Sequence, residues 1–250
     1  MHTPPKSRER EPYKLEGEIA EVVEGLQQFK PESVFLYGSR ARTDYLPTSD
    51  HEVGVLFRKA SYVGRGELSQ AVGRTGFSIY PFRYEDFVQY NPDTPFQKTI
   101  YMRELIEGGR TLSGADVVEQ MKPPEIKALD LLQDIRFSLG RALDAVISNR
   151  NGDKVSAGLG FSKSCLFGVR CLEIADLQQF PLTYDDIYRL SSQVVLPEYQ
   201  PVVEAAYKSR QEHTPIQPDQ LFRNISLLNQ VVEPRLVLEF ENEGNKVVLP

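Results

Sequence analysis

The chain has 250 residues but no tryptophan, only two cysteines and only three histidines. Cys165 and Cys171 lie six positions apart in a helical pattern, which points their side chains in different directions. We therefore predict two buried free thiols rather than a disulfide. His2, His51 and His213 are too scattered to predict a metal site built from imidazole groups. These shortages argue against a disulfide-stabilised secreted domain and against a histidine-based or cysteine-based metal centre.

Long apolar runs and an excess of positive charge are also missing. No run approaches the roughly 18 to 20 apolar residues that a bilayer-spanning helix needs. Residues 1–14 are polar and lack the apolar segment of a secretory signal, so we expect no membrane partner and a cytoplasmic location. The net charge of -6 and the pI of about 5.3 argue against a nucleic-acid partner, because affinity for a phosphate backbone requires basic surface.

What the chain does contain is enough apolar material for a sizeable core, at 40% hydrophobic and 26% charged residues. Residues 1–12 are charged and proline-bearing, which predicts a disordered N-terminal tail. The segment 13–115 then alternates between helical periodicity and short apolar runs, which predicts one domain of mixed α and β structure. The predicted strands are residues 33–38, 52–57 and 76–82.

The pattern changes after a glycine-bearing and proline-bearing joint at residues 113–124. From there, apolar residues recur three or four positions apart through long segments, which predicts an all-α helical bundle domain over residues 124–250. The last part, "RLVLEFENEGNKVVL", alternates around a turn-rich "ENEGN" and predicts a C-terminal hairpin.

The stretch "FLYGSRARTDYLPTSDHEVGVLF", residues 35–57, carries the clearest chemical signal. Gly38 follows a predicted strand and permits a tight turn with close approach of an anion, and Ser39 adds a hydroxyl. Asp50 and Glu52 lie two positions apart on the next strand, so their carboxylates share one face. Two anions held so close are usually bridged by a divalent cation. The alternative is an ordinary turn followed by the solvated face of a strand.

This stretch resembles the signature of minimal nucleotidyltransferases in the DNA polymerase β superfamily. That signature has Gly-Ser, ten intervening residues and then Asp-x-Asp, and here Gly38-Ser39 precedes Asp50-His51-Glu52 by the same spacing. The resemblance covers about residues 15–115 and implies an α+β fold with a mixed sheet flanked by helices. The helical second half is similar in outline to the domains that follow this module in aminoglycoside nucleotidyltransferases, and small relatives occur in toxin-antitoxin pairs.

The resemblance also implies roles for individual residues. Ser39 and the Gly38 backbone would bind the β- and γ-phosphates of a nucleoside triphosphate. Asp50 and Glu52 would be the catalytic, metal-holding carboxylates for Mg²⁺ or Mn²⁺. Arg40 would contact the phosphates, although Arg40 is equally well explained as a solvated turn residue.

The sequence departs from the family pattern at two positions. Glu52 stands where the family has aspartate, and its extra methylene moves the carboxylate by about 1.5 Å. Ser78 stands on the third strand where the family has a further aspartate that completes metal binding and serves as general base. An acid of the helical half is an alternative source of that base; the candidates are Glu125, Asp130, Asp134, Asp144, Glu173 and Asp176.

Two hypotheses follow. The first is an enzyme, a metal-dependent nucleotidyltransferase that moves a nucleoside monophosphate, AMP from ATP, onto a hydroxyl of a small molecule or protein. The second is a degenerate nucleotidyltransferase fold that binds a nucleotide or a protein partner without turnover, in a regulatory or antitoxin-like role. The missing carboxylate at Ser78 keeps the second hypothesis open.

Overall fold

The computed structural model describes residues 16–42, 44–47, 49–212 and 216–250. The predicted tail at residues 1–12 lies outside these ranges. None of the helices within them combines the length and the apolar character that crossing a bilayer requires.

The first half of the chain forms a sheet with helices packed on it. Its strands are β1 (Ser33–Tyr37), β2 (His51–Phe57), β3 (Phe77–Arg83) and β4 (Arg110–Gly114). Its helices are α1 (Gly17–Gln27), α2 (Gly38–Arg42), α3 (Arg65–Val72), α4 (Tyr84–Val88), α5 (Lys98–Gly108) and α6 (Val117–Gln120). The three strands predicted from apolar runs are confirmed, whereas β4 and α2 were not predicted.

Within the described residues, these strands form one mixed sheet in the order β3-β2-β1-β4. β1 is antiparallel to both β2 and β4, and β2 is parallel to β3. The register places Glu52 beside Tyr37 on one side and beside Ser78 on the other. The mixed sheet flanked by helices and followed by helices confirms the predicted α+β class.

Residues alternate between the two faces of the sheet, as strand geometry requires. Val34, Leu36, Val53 and Val55 are buried in the core that α1 and α3 cover. Phe35 and Leu56 belong to the opposite core, with side chains of α4, α5 and α6. Gly54 faces Phe35, and a Cβ there would collide with the Phe35 ring. The face that carries Asp50, Glu52 and Gly54 is therefore the face toward α5.

The second half consists mainly of helices around one large apolar core. They are α7 (Ala128–Arg150), α8 (Lys154–Leu177), α9 (Tyr184–Ser191), α10 (Gln200–Glu212), α11 (Pro218–Leu227) and α12 (Glu233–Glu243). A π-helical segment, Leu228–Val232, joins α11 to α12. The predicted helices are confirmed, and Cys165 and Cys171 are free and buried in α8 as predicted.

The predicted C-terminal hairpin is wrong. Residues 233–243 form α12, because Leu236 and Glu239 are buried three positions apart, while Leu238 between them is exposed. The last strand, β6 (Val247–Leu249), pairs instead with the distant two-residue strand β5 (Ile126–Lys127). The end of the described chain thus returns to the joint after β4. The boundaries 13–115 and 124–250 as separate domains stay a prediction.

Candidate active site

The glycine-serine turn lies where β1 ends at the rim of the sheet. Gly38 has a φ of +71°, a conformation that favours glycine, and α2 starts there. A Cβ at Gly38 would collide with the Glu52 carboxylate. The Glu52 carboxylate therefore lies directly against the turn, and the sequence places glycine where only glycine leaves room for it.

The acid pair lies on the same rim. Asp50 is exposed and directly precedes β2, and Glu52 is half-buried two residues further along the chain. His51 points to the other face and stacks on the Phe77 ring with a centroid distance of 4.6 Å. The Ser78 hydroxyl donates a hydrogen bond to the Asp50 carboxylate. Ser78 thus occupies the place beside the pair that strand alignment predicts for the third acid.

Arg40 has other partners. Its guanidinium donates hydrogen bonds to the carbonyl oxygens of Ser49 at 2.8 Å and Pro47 at 3.4 Å, and it lies over the Tyr45 ring. These contacts hold the loop that leads into Asp50. Among the described residues, Arg40 is absent from the lining of the cavity introduced next, so its expected phosphate contact stays a prediction.

A cavity of about 980 Å³ opens between this rim and the helices. Gly38, Ser39, Asp50 and Glu52 line its sheet side, and residues of α5, α7, α8, α9 and α10 line the rest. Ligand sites of several hundred Å³ suit molecules of nucleotide size. The structure therefore brings the predicted motif residues, apart from Arg40, to one wall of one cavity.

The charge of Glu52 depends on its surroundings in this cavity. Burial raises the pKa of Glu52 to about 7, Lys163 acts in the opposite direction, and Asp50 raises the pKa further. A cation bound at the pair would favour the ionised form of Glu52.

Three cations of the helical half line the same cavity as the acid pair. They are Arg141 on α7, Lys163 on α8 and Arg210 on α10. None of them forms an ion pair with a residue that the structure describes. Burial lowers the pKa of Lys163, the neighbouring Arg141 lowers it further, and Glu52 opposes both effects. Partly desolvated cations without an ion-pair partner among the described residues have the chemistry to bind a polyanion.

A second set of charges lies deeper and is internally paired. Arg42 donates to Glu104 at 2.7 Å and lies 3.6 Å from Asp44, and Arg170 contacts Glu104 at 3.4 Å and Asp134 at 3.9 Å. Burial raises the pKa of Glu104, but the two guanidinium groups outweigh burial and hold it below its ordinary value. This ion-pair chain links α2, α5, α7 and α8, and so fixes the sheet rim relative to the helices.

The residues present fit a hard divalent cation. Asp50 and Glu52 offer two carboxylates on one face, and Gly38 leaves room for one of them. The described residues contain no cluster of three or more His, Cys, Asp or Glu side chains that could hold a metal alone. Mg²⁺ is commonly bound by one or two carboxylates, with substrate phosphates completing its shell.

Of the helical-half acids named as alternative sources of the base, Asp134 lines the cavity. The sequence did not predict the cations on this side. Lys163 gives a signal, since it is the sole charged residue between Lys154 and Arg170 in an otherwise apolar and small-residue helix. Arg141, Arg210 and Glu104 lie in charged surroundings in the sequence. Their convergence depends on helix packing, which the sequence pattern does not specify.

Comparison with known proteins addresses the fold. No family model and no curated protein sequence matches the chain. A similar solved structure is the spectinomycin adenyltransferase AAD(9) from Enterococcus faecialis with ATP and spectinomycin, at a TM-score of 0.54 and 15% sequence identity. The similarity covers 88% of this chain and 98% of that chain. The chain has a nucleotidyltransferase fold. At this identity, the likeness extends to the fold alone.

Proposed function

We propose that the protein is a metal-dependent nucleotidyltransferase that transfers AMP from ATP to a hydroxyl group of a small molecule or a protein. The observation that carries the proposal is the charge arrangement of the cavity. A glycine-serine turn and two carboxylates line the same cavity as Lys163 and Arg210, and the cavity is of nucleotide size. A triphosphate with a divalent cation is the ligand that matches both walls.

Each wall has a distinct task in the proposed reaction. Ser39 and the Gly38 backbone bind the terminal phosphates, while Lys163 and Arg210 neutralise their charge from the helical side. Asp50 and Glu52 hold the metal. Bound Mg²⁺ or Mn²⁺ supplies positive charge to the triphosphate oxygens and stabilises the transition state. The acceptor hydroxyl releases its proton to solvent, and its oxygen forms a bond to the α-phosphorus as the bond to the β-phosphate oxygen breaks and pyrophosphate leaves.

Calorimetric titration of ATP with and without Mg²⁺ tests the proposed site. Wild type is expected to bind ATP more tightly with Mg²⁺ than without it, and Asp50→Ala is expected to lose most of that difference. Asp144→Ala removes an exposed carboxylate of α7 that does not line the cavity, so it should behave as wild type. Equal Mg²⁺ dependence in both variants would refute the assignment of Asp50.

A second candidate function is nucleotide binding without turnover. Ser78 favours it, since a hydroxyl stands where the resemblance implies a third carboxylate and already contacts Asp50. Release of pyrophosphate separates the two candidates. Metal-dependent ATP binding without pyrophosphate release in any acceptor mixture would favour the binding protein.

A further inference from the structure

We propose that the acceptor is a hydroxyl compound that carries a carboxylate or phosphate group, bound by Arg141, and is not a polycation. This inference rests on the proposed nucleotidyltransferase function and concerns the helical side of the same cavity.

Each carboxylate that lines the cavity already has a partner or a proposed role. Among the described residues, the lining contains four of them, Asp50, Glu52, Glu104 and Asp134. The first two are the proposed metal ligands. Glu104 lies between Arg42 and Arg170, and Asp134 contacts Arg170 and accepts a hydrogen bond from the Cys171 thiol at 3.6 Å. No lining carboxylate is left to bind an ammonium group of an acceptor.

Aromatic rings distinguish the surroundings of Arg141 from those of Arg210. The Arg141 guanidinium lies 6.0 Å from the centroid of the Phe167 ring, whereas that of Arg210 lies 4.4 Å from the centroid of the Tyr184 ring. Both rings line the cavity, so the two guanidinium groups lie against different parts of its aromatic lining.

Arg141 also stands at the end of an aromatic wall. Its guanidinium lies 5.0 Å from the centroid of the Phe137 ring. The ring centroids of Phe137 and Phe96 are 5.3 Å apart, and those of Phe96 and Tyr101 are 5.2 Å apart. The Tyr101 centroid lies 6.5 Å from that of Tyr37, the residue just before the glycine-serine turn. This wall leads from the reaction site to Arg141.

The half-buried Arg141 guanidinium has no ion-pair partner within the described ranges, so it would select ligands by their charge. Burial lowers the pKa of Arg141, which reflects the loss of its water shell. A carboxylate or phosphate on the acceptor would replace that water with charge-assisted hydrogen bonds. An ammonium group would meet like charge there, and the described lining offers it no free carboxylate, so the same geometry acts against polycations.

Calorimetry on the full chain, loaded with Mg²⁺ and the non-cleavable nucleotide α,β-methylene ATP, tests this inference. The probes are glucose 6-phosphate, glucuronate and glucosamine, which share a hexose ring and differ in charge. We expect at least one anionic hexose to bind about tenfold more tightly than glucosamine. Which anion binds better distinguishes a phosphate-bearing acceptor from a carboxylate-bearing one. Spectinomycin is expected to bind no better than glucosamine.

The variant Arg141→Gln is expected to abolish the preference for the anion. Arg136→Gln is the matched control, because Arg136 is an exposed arginine of the same helix that pairs with Glu233 at 3.0 Å. Equal affinity for the hexoses, tighter binding of glucosamine or spectinomycin, lack of binding by either anion, or a preference that survives in Arg141→Gln overturns the inference. Failure of wild type to bind the nucleotide at all would instead count against the proposed function.

Discussion

At the residue scale, the side chain at position 78 would set how many carboxylates surround the proposed metal. Ser78 lies beside Asp50 and Glu52 on the parallel neighbour strand, so Ser78→Asp would add a third hard oxygen ligand. We expect this variant to bind Mg²⁺ in the presence of ATP about tenfold more tightly by calorimetry. Ser69→Asp adds the same charge on the exposed face of α3 and should change nothing. Unchanged or weaker Mg²⁺ binding in Ser78→Asp would contradict the assigned geometry.

Glu173 is a second residue with an unusual environment, and it does not line the cavity. Burial raises its pKa to about 9, and neither carboxylate oxygen has a hydrogen-bond partner among the described residues. The folded protein holds this proton above the ordinary pKa of 4.5, whereas the unfolded chain releases it. The free energy of unfolding therefore falls as pH rises from about 4.5 to about 9.

Glu173→Gln removes this titration. Between about pH 6 and about pH 9, the variant should lose less stability than wild type, by on the order of 1 to 3 kcal/mol in urea unfolding. Glu241→Gln, an exposed change on α12, should follow the wild-type pH dependence. If the free energy of unfolding of Glu173→Gln also follows the wild-type pH dependence, Glu173 is ionised in the folded protein and the assigned environment is wrong.

Local spacing in the sequence predicted that four residues of the proposed site lie close together. Gly38, Ser39, Asp50 and Glu52 belong to one strand-loop-strand segment, and alternation along β2 determines which side chains share a face. The position of Ser78 also followed from aligning one strand. Arg141, Lys163 and Arg210 come from three different helices, and only tertiary packing brings them to one cavity.

At the scale of elements, two glycines in long helices have opposite surroundings. A Cβ at Gly168 in α8 would collide with Leu228 of the π-helical segment and lie 3.2 Å from Ile135, whereas a Cβ at Gly140 in α7 meets nothing within 4 Å. We expect Gly168→Ala to lower the free energy of unfolding by about 1 to 3 kcal/mol. Gly140→Ala should raise it by roughly 0.5 to 1 kcal/mol, because alanine has less conformational freedom to lose.

Urea unfolding of both variants measures the difference. Two equal effects of the same sign would contradict the close crossing between α8 and the Leu228–Val232 segment.

The elements also show where sequence patterns were ambiguous. The long helices followed their three-to-four spacing of apolar residues, and the first three strands followed short apolar runs closed by turn residues. The segment "LVLEF" fits a strand and a helix equally well as a pattern, and burial of Leu236 against the helical core decides for the helix. β5 and β6 are too short for any pattern to pair them across the chain.

At the scale of the whole molecule, the ion-pair chain through Arg42, Glu104 and Arg170 connects the sheet rim to the helices. Glu104→Gln leaves two largely buried guanidinium groups without their closest carboxylate. We expect a loss of about 3 kcal/mol in the free energy of unfolding, measured in urea. Glu204→Gln breaks an exposed pair with Lys208 and should cost less than about 1 kcal/mol. Similar losses in the two variants would mean that the buried ion pairs contribute no more to the free energy of unfolding than a surface pair does.

The nucleotidyltransferase fold places a triphosphate-sized cavity between walls of opposite charge, and the central claim is that this cavity transfers AMP. The most direct measurement incubates the protein with ATP labelled at the α-phosphate, Mg²⁺ and a crude mixture of hydroxyl-bearing metabolites and proteins. Wild type is predicted to release pyrophosphate and to move the label onto an acceptor, and Asp50→Ala is predicted to do neither. Label transfer that persists in Asp50→Ala, or no pyrophosphate from wild type with either Mg²⁺ or Mn²⁺, would contradict the claim.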